Sequence, residues 1–331
     1  MAEQKKSVTV STTVSNQPCK YWGYIVTGAM GDISVASSAA LAAAGSGYAT
    51  GNTITLTGGT VTTNAVLTVA TTQLVSAAVN APGTGYATAD TITLAGGTFS
   101  AAAVLTVAST RVSALPTIAA AGTGGTPGSA TVTGTTGTGT KFQATVTIDG
   151  TGVIVSVDAL TVAGAYTVNP TVLTAEPVTG GGLTGAQLSI VMGVNTFTVS
   201  TPGSYTVESA TFTQSATSGT GTGATFNTGL FGVLTATVST AGAYTTTPAD
   251  PVAQGATSGT GTGATFNMTW SNVVAAGVTL YDNTSASGTV VDIVPDNAVA
   301  GTAKTLTSPV RCTTGLYASV AGTGSILFLY D

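Results

Sequence analysis

Gly45 to Thr60 reads GSGYATGNTITLTGGT, and Gly83 to Thr98 reads GTGYATADTITLAGGT. Each is followed by AVLTV, at Ala65 and Ala103, so the offset is 38 throughout. The pattern continues along the chain. AGAY at Ala163, PGSY at Pro202 and AGAY at Ala241 place Tyr166, Tyr205 and Tyr244 at intervals of 39. A Gly-rich segment at Gly124-Gly125 fills the gap without a tyrosine. A second signature marks the last repeats: SATSGTGTGATFN from Ser215 and GATSGTGTGATFN from Gly255, with a relative, GTTGTGTKF, from Gly134. The sequence therefore carries about six repeats of 38–41 residues between roughly Gly31 and Trp270. The first two resemble each other most, as do the last two, and the middle is the most degenerate. A unit of this size buries little alone; stacking against neighbours builds a continuous core.

The residues of the repeats set their class. Thr and Val are β-branched and favour strands, Gly supplies positive-φ turns, and good helix formers are scarce. The chain is expected to be all-β, with three or four short strands per repeat, such as Thr53 to Leu56, between Gly-rich turns. Tyr48, Tyr86, Tyr166, Tyr205 and Tyr244 read as packing residues whose hydroxyls cap turns; the alternative is a receptor-binding role.

Composition excludes several functions. The 331 residues include 7 Lys+Arg, 12 Asp+Glu and no His, for a net charge of −5. That balance is wrong for a nucleic-acid binder. Without His, Ser-His-Asp triads and His-ligated zinc are impossible, and two Cys build no disulfide scaffold. No cofactor is expected. Mean hydropathy is +0.43, yet no run of about 18 apolar residues exists, so membrane insertion is not expected. MAEQKKSVTV at Met1 has lysines but no apolar stretch after them. No signal peptide is expected, and synthesis in a host cytoplasm is.

The two ends differ from the repeats. They hold both Cys and five of the seven basic residues. Together they alternate like a small β-sandwich of about six strands, and neither end is large enough alone. The reading is a base domain of residues 1–28 plus 271–331, split by an inserted β-repeat array over 29–270. Its core candidates are Trp22, Tyr24, Leu280, Leu316, Tyr317 and Phe328. A split base requires the array to begin and finish at one place. It should therefore run out and turn back near residues 117–185, the two repeat subfamilies forming an outgoing and a returning arm.

The repeats resemble the Gly-Ser-Gly-Tyr repeats of bacteriophage virion proteins, on Gly45 to Tyr48, Gly83 to Tyr86 and the GTGTGATF turns. The ends resemble small phage head-decoration proteins, on Pro18 to Tyr24, Tyr281 to Gly288 and Thr314 to Tyr317. The resemblance implies a structural virion-surface protein of the capsid-decoration or head-fibre type. It implies a homotrimer whose partner is the major capsid protein or another virion protein, and it carries over no catalytic residue. A tail fibre that binds a host receptor, with a host-surface glycan as candidate partner, is the alternative. Its tip would lie at Tyr166 and Glu176. A glycan depolymerase is a remote third.

Chemistry elsewhere has sparse candidates. Asp149 with Asp158, or Asp292 with Asp296, could form a carboxylate pair for glycan hydrolysis, although Asp149-Gly150 also reads as a hairpin turn. Asp282-Asn283 with Asp292 and Asp296 could offer oxygen ligands to calcium. GTTGTGTK from Gly134 approaches a phosphate loop but has Thr140 between the glycine and Lys141. Cys19 and Cys312 could pair if their strands are adjacent; otherwise they are buried thiols. Trp22 and Trp270 read as core rather than as a sugar platform.

Overall fold

A computed structural model describes residues 4–8, 12–15, 17–31, 33–273, 278–294, 303–320 and 323–330. The described residues are predominantly antiparallel strand joined by turns, and the one helical element among them is a single 3₁₀ turn, Leu173–Ala175. The fold is all-β.

Both ends of the chain contribute to the same two four-stranded sheets. One sheet has the order Gln4–Val8, Thr323–Tyr330, Cys19–Gly31, Ala303–Cys312; the other has Thr12–Ser15, Leu316–Val320, Val278–Asp282, Thr289–Val294. Their inner faces share a core of Val14, Cys19, Tyr21, Leu280, Cys312, Leu316, Ala318 and Phe328. Two sheets joined by one apolar layer form a sandwich.

The residues between them run as two paired arms. Strand Ile33–Ser46 pairs with Thr262–Val273, and Ile33 lies opposite Val273. Strand Val66–Thr84 pairs with Thr222–Thr240, and Val104–Val112 with Met192–Thr201. Beyond these, residues 113–191 reverse the chain around a six-stranded sheet. The apolar residues fall into three levels. The proximal core joins Ala36, Tyr48, Ile54 and Leu67 to Val233, Tyr244 and Phe266. The middle core joins Leu74, Tyr86, Ile92 and Leu105 to Val194, Tyr205 and Phe226. The distal core gathers Val112, Phe142, Val146, Tyr166, Leu188 and Met192. A repeat is thus half of a core: each level closes on one outgoing and one returning repeat.

The strands are longer than expected. Val66–Thr84 and Thr222–Thr240 each have 19 residues and cross from one level to the next. The Gly-rich turns do not end every strand, because register shifts such as those at Thr228/Leu230 and Val233/Thr235 let the pair bend and stay hydrogen-bonded.

Removing a whole level should therefore be tolerated, whereas removing half of one should not. Deleting residues 70–107 joins Val69 to Ala108, and deleting 194–232 joins Gly193 to Val233; both junctions keep the local sequence pattern. The double deletion is expected to give a folded protein one level shorter with a cooperative thermal transition by circular dichroism. Either deletion alone should abolish that transition.

Candidate functional site

The five repeat tyrosines are all buried, at 0–3% exposure. Tyr244, Tyr205 and Tyr166 use their hydroxyls to accept the backbone N–H of Ala65 (2.8 Å), Ala103 (2.9 Å) and Phe142 (2.8 Å). Desolvation raises the pKa of Tyr166 and Tyr205, so each stays a neutral acceptor. Tyr48 likewise accepts the Ala264 N–H, at 3.3 Å, and Tyr48 and Tyr86 each enter a further circuit. Tyr48 donates to Gln254 Oε1, and Gln254 Nε2 donates to the Gly261 carbonyl at 2.8 Å. Tyr86, Gln214 and Gly221 repeat the arrangement, with 2.7 Å for the second bond.

Each of these two rings lies on a glycine of the opposite arm. A Cβ on Gly261 would sit 2.4 Å from Tyr48 Cδ1, and one on Gly221 would sit 2.3 Å from Tyr86 Cδ1. The GTGTG signature of the returning arm is therefore the socket for the G-x-G-Y signature of the outgoing arm. The distal level inverts the pair. Gly125 stands where Tyr86 would be and Leu183 where Gly221 would be, and a Cβ on Gly125 would meet Leu183 Cδ2 at 2.8 Å. Large against small is kept, with the arms exchanged.

Two polar side chains tie one level to the next. Glu208 Oε1 accepts from Thr50 N (2.7 Å), Thr50 Oγ1 (2.9 Å) and Thr72 Oγ1 (2.7 Å). Asn169, three residues after Tyr166 as Glu208 is after Tyr205, accepts from Thr110 Oγ1 and donates to the Tyr86 carbonyl at 2.8 Å. Glu208, Asn169, Gln214 and Gln254 were not singled out by the sequence reading. The glutamines stand just ahead of the shared GTGTG stretch and were legible there. Glu208 and Asn169 differ in type and left no pattern.

The candidate tip residues are not a surface site. Tyr166 and Glu176 are fully buried, because Glu176 accepts the N–H groups of Thr135 (2.8 Å) and Thr136 (2.7 Å) and so closes a turn. Lys141 donates to the carbonyls of Thr136, at 2.6 Å, and Gly137. The phosphate-loop lysine is thus committed to its own loop, beside the Tyr166 ring. Asp149 caps its own turn through Thr151 and Val153. Asp158 accepts from Ser156 and Thr147. Hydrogen bonds from Thr151 lower the pKa of Asp149, and those from Ser156 and Thr147 lower that of Asp158. Neither supplies the raised carboxylic acid that glycoside hydrolysis needs.

In the sandwich, Leu280, Leu316 and Phe328 are fully buried. Tyr317 is only half-buried, because Leu316 and Ala318 on either side take the inward face. The side chains of Trp22 and Tyr24 lie outside the described residues. Tyr21, not anticipated, is fully buried and donates to Asp292 Oδ2 at 3.0 Å, tying one sheet to the other. Asp282 accepts from Thr313 N and Oγ1 (both 3.0 Å) and Thr314 N (2.9 Å), bracing the turn before Leu316. Asp296, the remaining candidate calcium ligand, lies outside the described residues, and no acidic cluster with metal-binding geometry exists among the described ones. Cys19 and Cys312 are buried thiols directly opposite each other in register. The hydrogen bond between them, then burial, pushes the Cys312 thiol up and keeps it protonated. Trp270 packs edge-on against Tyr244 at 4.7 Å in the proximal core.

No family model matches the chain, and no curated protein or solved structure is detectably similar to it. Among the described residues, no helix is long and apolar enough to cross a membrane.

Glu208 gives the site its clearest pH dependence. Burial alone would raise its pKa, but the hydrogen bonds from Thr72 and Thr50 outweigh that and hold it below the ordinary carboxylate value. A depressed folded-state pKa stabilises at neutral pH and is lost as pH falls through that value. Glu208→Ala should cost about 1–3 kcal/mol at pH 7, since it strands the buried Thr72 hydroxyl and the Thr50 amide. In denaturant titrations the gap between wild type and variant should narrow below about pH 4.

Proposed function

We propose that this chain is a structural protein of a virus particle, a capsid-decoration or head-fibre component. The sandwich docks on the capsid and the paired repeats project from it. The observation that carries this reading is the entry point of the array. Ile33 and Val273 are register partners, so a long insert leaves and re-enters one small unit made from both chain ends. Such a unit has one role as a foot and leaves the insert as a single projection.

Docking would use the sandwich edges. Gln4–Val8 and Thr12–Ser15 are the outer strands of the two sheets. Strand addition to such an edge provides backbone hydrogen bonds without a specialised pocket. These strands belong to the sandwich itself. Val290 and Val310, 47% and 37% exposed, lie on the opposite edge strands and add apolar area. The resemblance of the repeats and ends to phage virion proteins favours a phage capsid as partner and a trimer as the assembled form. Charge agrees with the division of labour: five of the seven basic residues lie in the base, and the insert carries the acidic excess.

Purified particles imaged with an antibody against the repeat region test this reading. Label distributed over the head lattice is expected. Label confined to the tail would move the protein to receptor binding, and absence from purified particles would end the virion assignment.

A further inference from the structure

Positions that keep the same structural role in successive levels keep similar residues, so joint departures need another reason. Ser109-Thr110-Arg111 is the counterpart of Thr71-Thr72-Gln73, and Gly193 to Phe197 (GVNTF) is the counterpart of Gly232 to Ala236 (GVLTA). The framework is the same in both. Ser109 Oγ and Thr196 Oγ1 lie 2.6 Å apart, as do Thr71 Oγ1 and Thr235 Oγ1. On that framework three residues change together: Arg111 replaces Gln73, Asn195 replaces Leu234, and Phe197 replaces Ala236. All three line one open cavity of about 370 Å³, over Ala77 to Val79 and beside Thr196.

The fold does not require these changes. Gln73 Nε2 is satisfied by the Val233 carbonyl at 2.9 Å, whereas the Arg111 side chain makes no hydrogen bond or ion pair with any described residue. The insert has only two basic residues, and the other, Lys141, is held by its own loop. Asn195 Nδ2 donates to Ser109 Oγ at 3.0 Å, which fixes the amide and leaves its oxygen as an acceptor. Phe197 is held edge-on against Phe226 at 5.1 Å and is half-buried, so part of its ring faces the cavity.

The geometry points to a binding site for a carboxylated sugar, a uronic or sialic acid residue of a glycan. An unpaired guanidinium takes a carboxylate through two parallel hydrogen bonds. The Asn195 amide oxygen and Thr196 hydroxyl take sugar hydroxyls, and Phe197 covers an apolar ring face. The volume is at the small end for ligand pockets and suits one or two rings. This inference does not depend on where the protein is attached.

Titration of the full-length protein with glucuronate, N-acetylneuraminate, glucose and glucose 6-phosphate, followed by ligand-observed NMR, tests it. Saturable binding of at least one of the two acids with Kd on the order of 1 mM is expected, at least tenfold tighter than glucose or the phosphate ester. Arg111→Gln with Asn195→Leu installs the residues of the equivalent level. It should weaken binding more than tenfold with the melting temperature unchanged; should that variant fold poorly, Arg111→Gln alone gives the same readout. No saturable binding of either acid, equal binding of glucose or of the phosphate ester, or undiminished binding by the variant would overturn the proposal.

Discussion

A tyrosine ring from one arm resting on a glycine of the other is the contact on which the array depends. The ring is a large buried side chain of its repeat, and the glycine supplies the space for it. At Tyr48 over Gly261 and Tyr86 over Gly221 even a methyl group would clash. Neither repeat can therefore complete its core without the opposite one, and the arms are held in register level by level. A one-residue slip would place a threonine under the ring and turn the apolar face outward. The Tyr–Gln–Gly circuits add direction to this packing, because buried hydroxyls that find partners fix a unique arrangement.

This constraint also explains where the sequence was readable. The strand-favouring composition gave the all-β class, and the offset of 38 between Tyr48 and Tyr86 gave the repeat. The two signatures, G-x-G-Y in the first repeats and GTGTG in the last, were visible as separate motifs. Their complementarity was visible too, in the exchange of Tyr and Gly for Gly125 and Leu183, but only to a reading that asks what each glycine faces. Strand length was not readable. The run from Ala70 to Pro82 has few strong strand formers, and its continuity comes from pairing with the returning arm and from bulges.

The candidate sites were less legible than the fold. Asp149, Asp158, Asp282 and Glu176 are among only twelve acids, so scarcity made them conspicuous. In the structure Asp149, Asp282 and Glu176 brace turns by accepting backbone N–H groups and hydroxyls, and Asp158 accepts hydroxyls from its own and the paired strand, roles that depend on local geometry rather than on spacing. In the sandwich, Tyr21 is fully buried, and its neighbours in sequence drew the core expectation instead. Arg111 lies far in sequence from Asn195 and Phe197, and only the pairing of the arms brings it to their cavity. A repeat protein makes such a site detectable, because its own equivalent positions show what the fold alone would choose.

The central claim is that each level is closed by opposite arms of one chain. Thr71 and Thr235 are register partners whose hydroxyl oxygens lie 2.6 Å apart. The double variant Thr71→Cys with Thr235→Cys, in a chain that also carries Cys19→Ser and Cys312→Ser, can be oxidised and resolved by non-reducing electrophoresis and peptide mapping. The account predicts rapid formation of a single intrachain disulfide between the two substituted positions in the native protein and none after denaturation. Links formed only between chains, or no link under native conditions, would contradict the pairing of the arms.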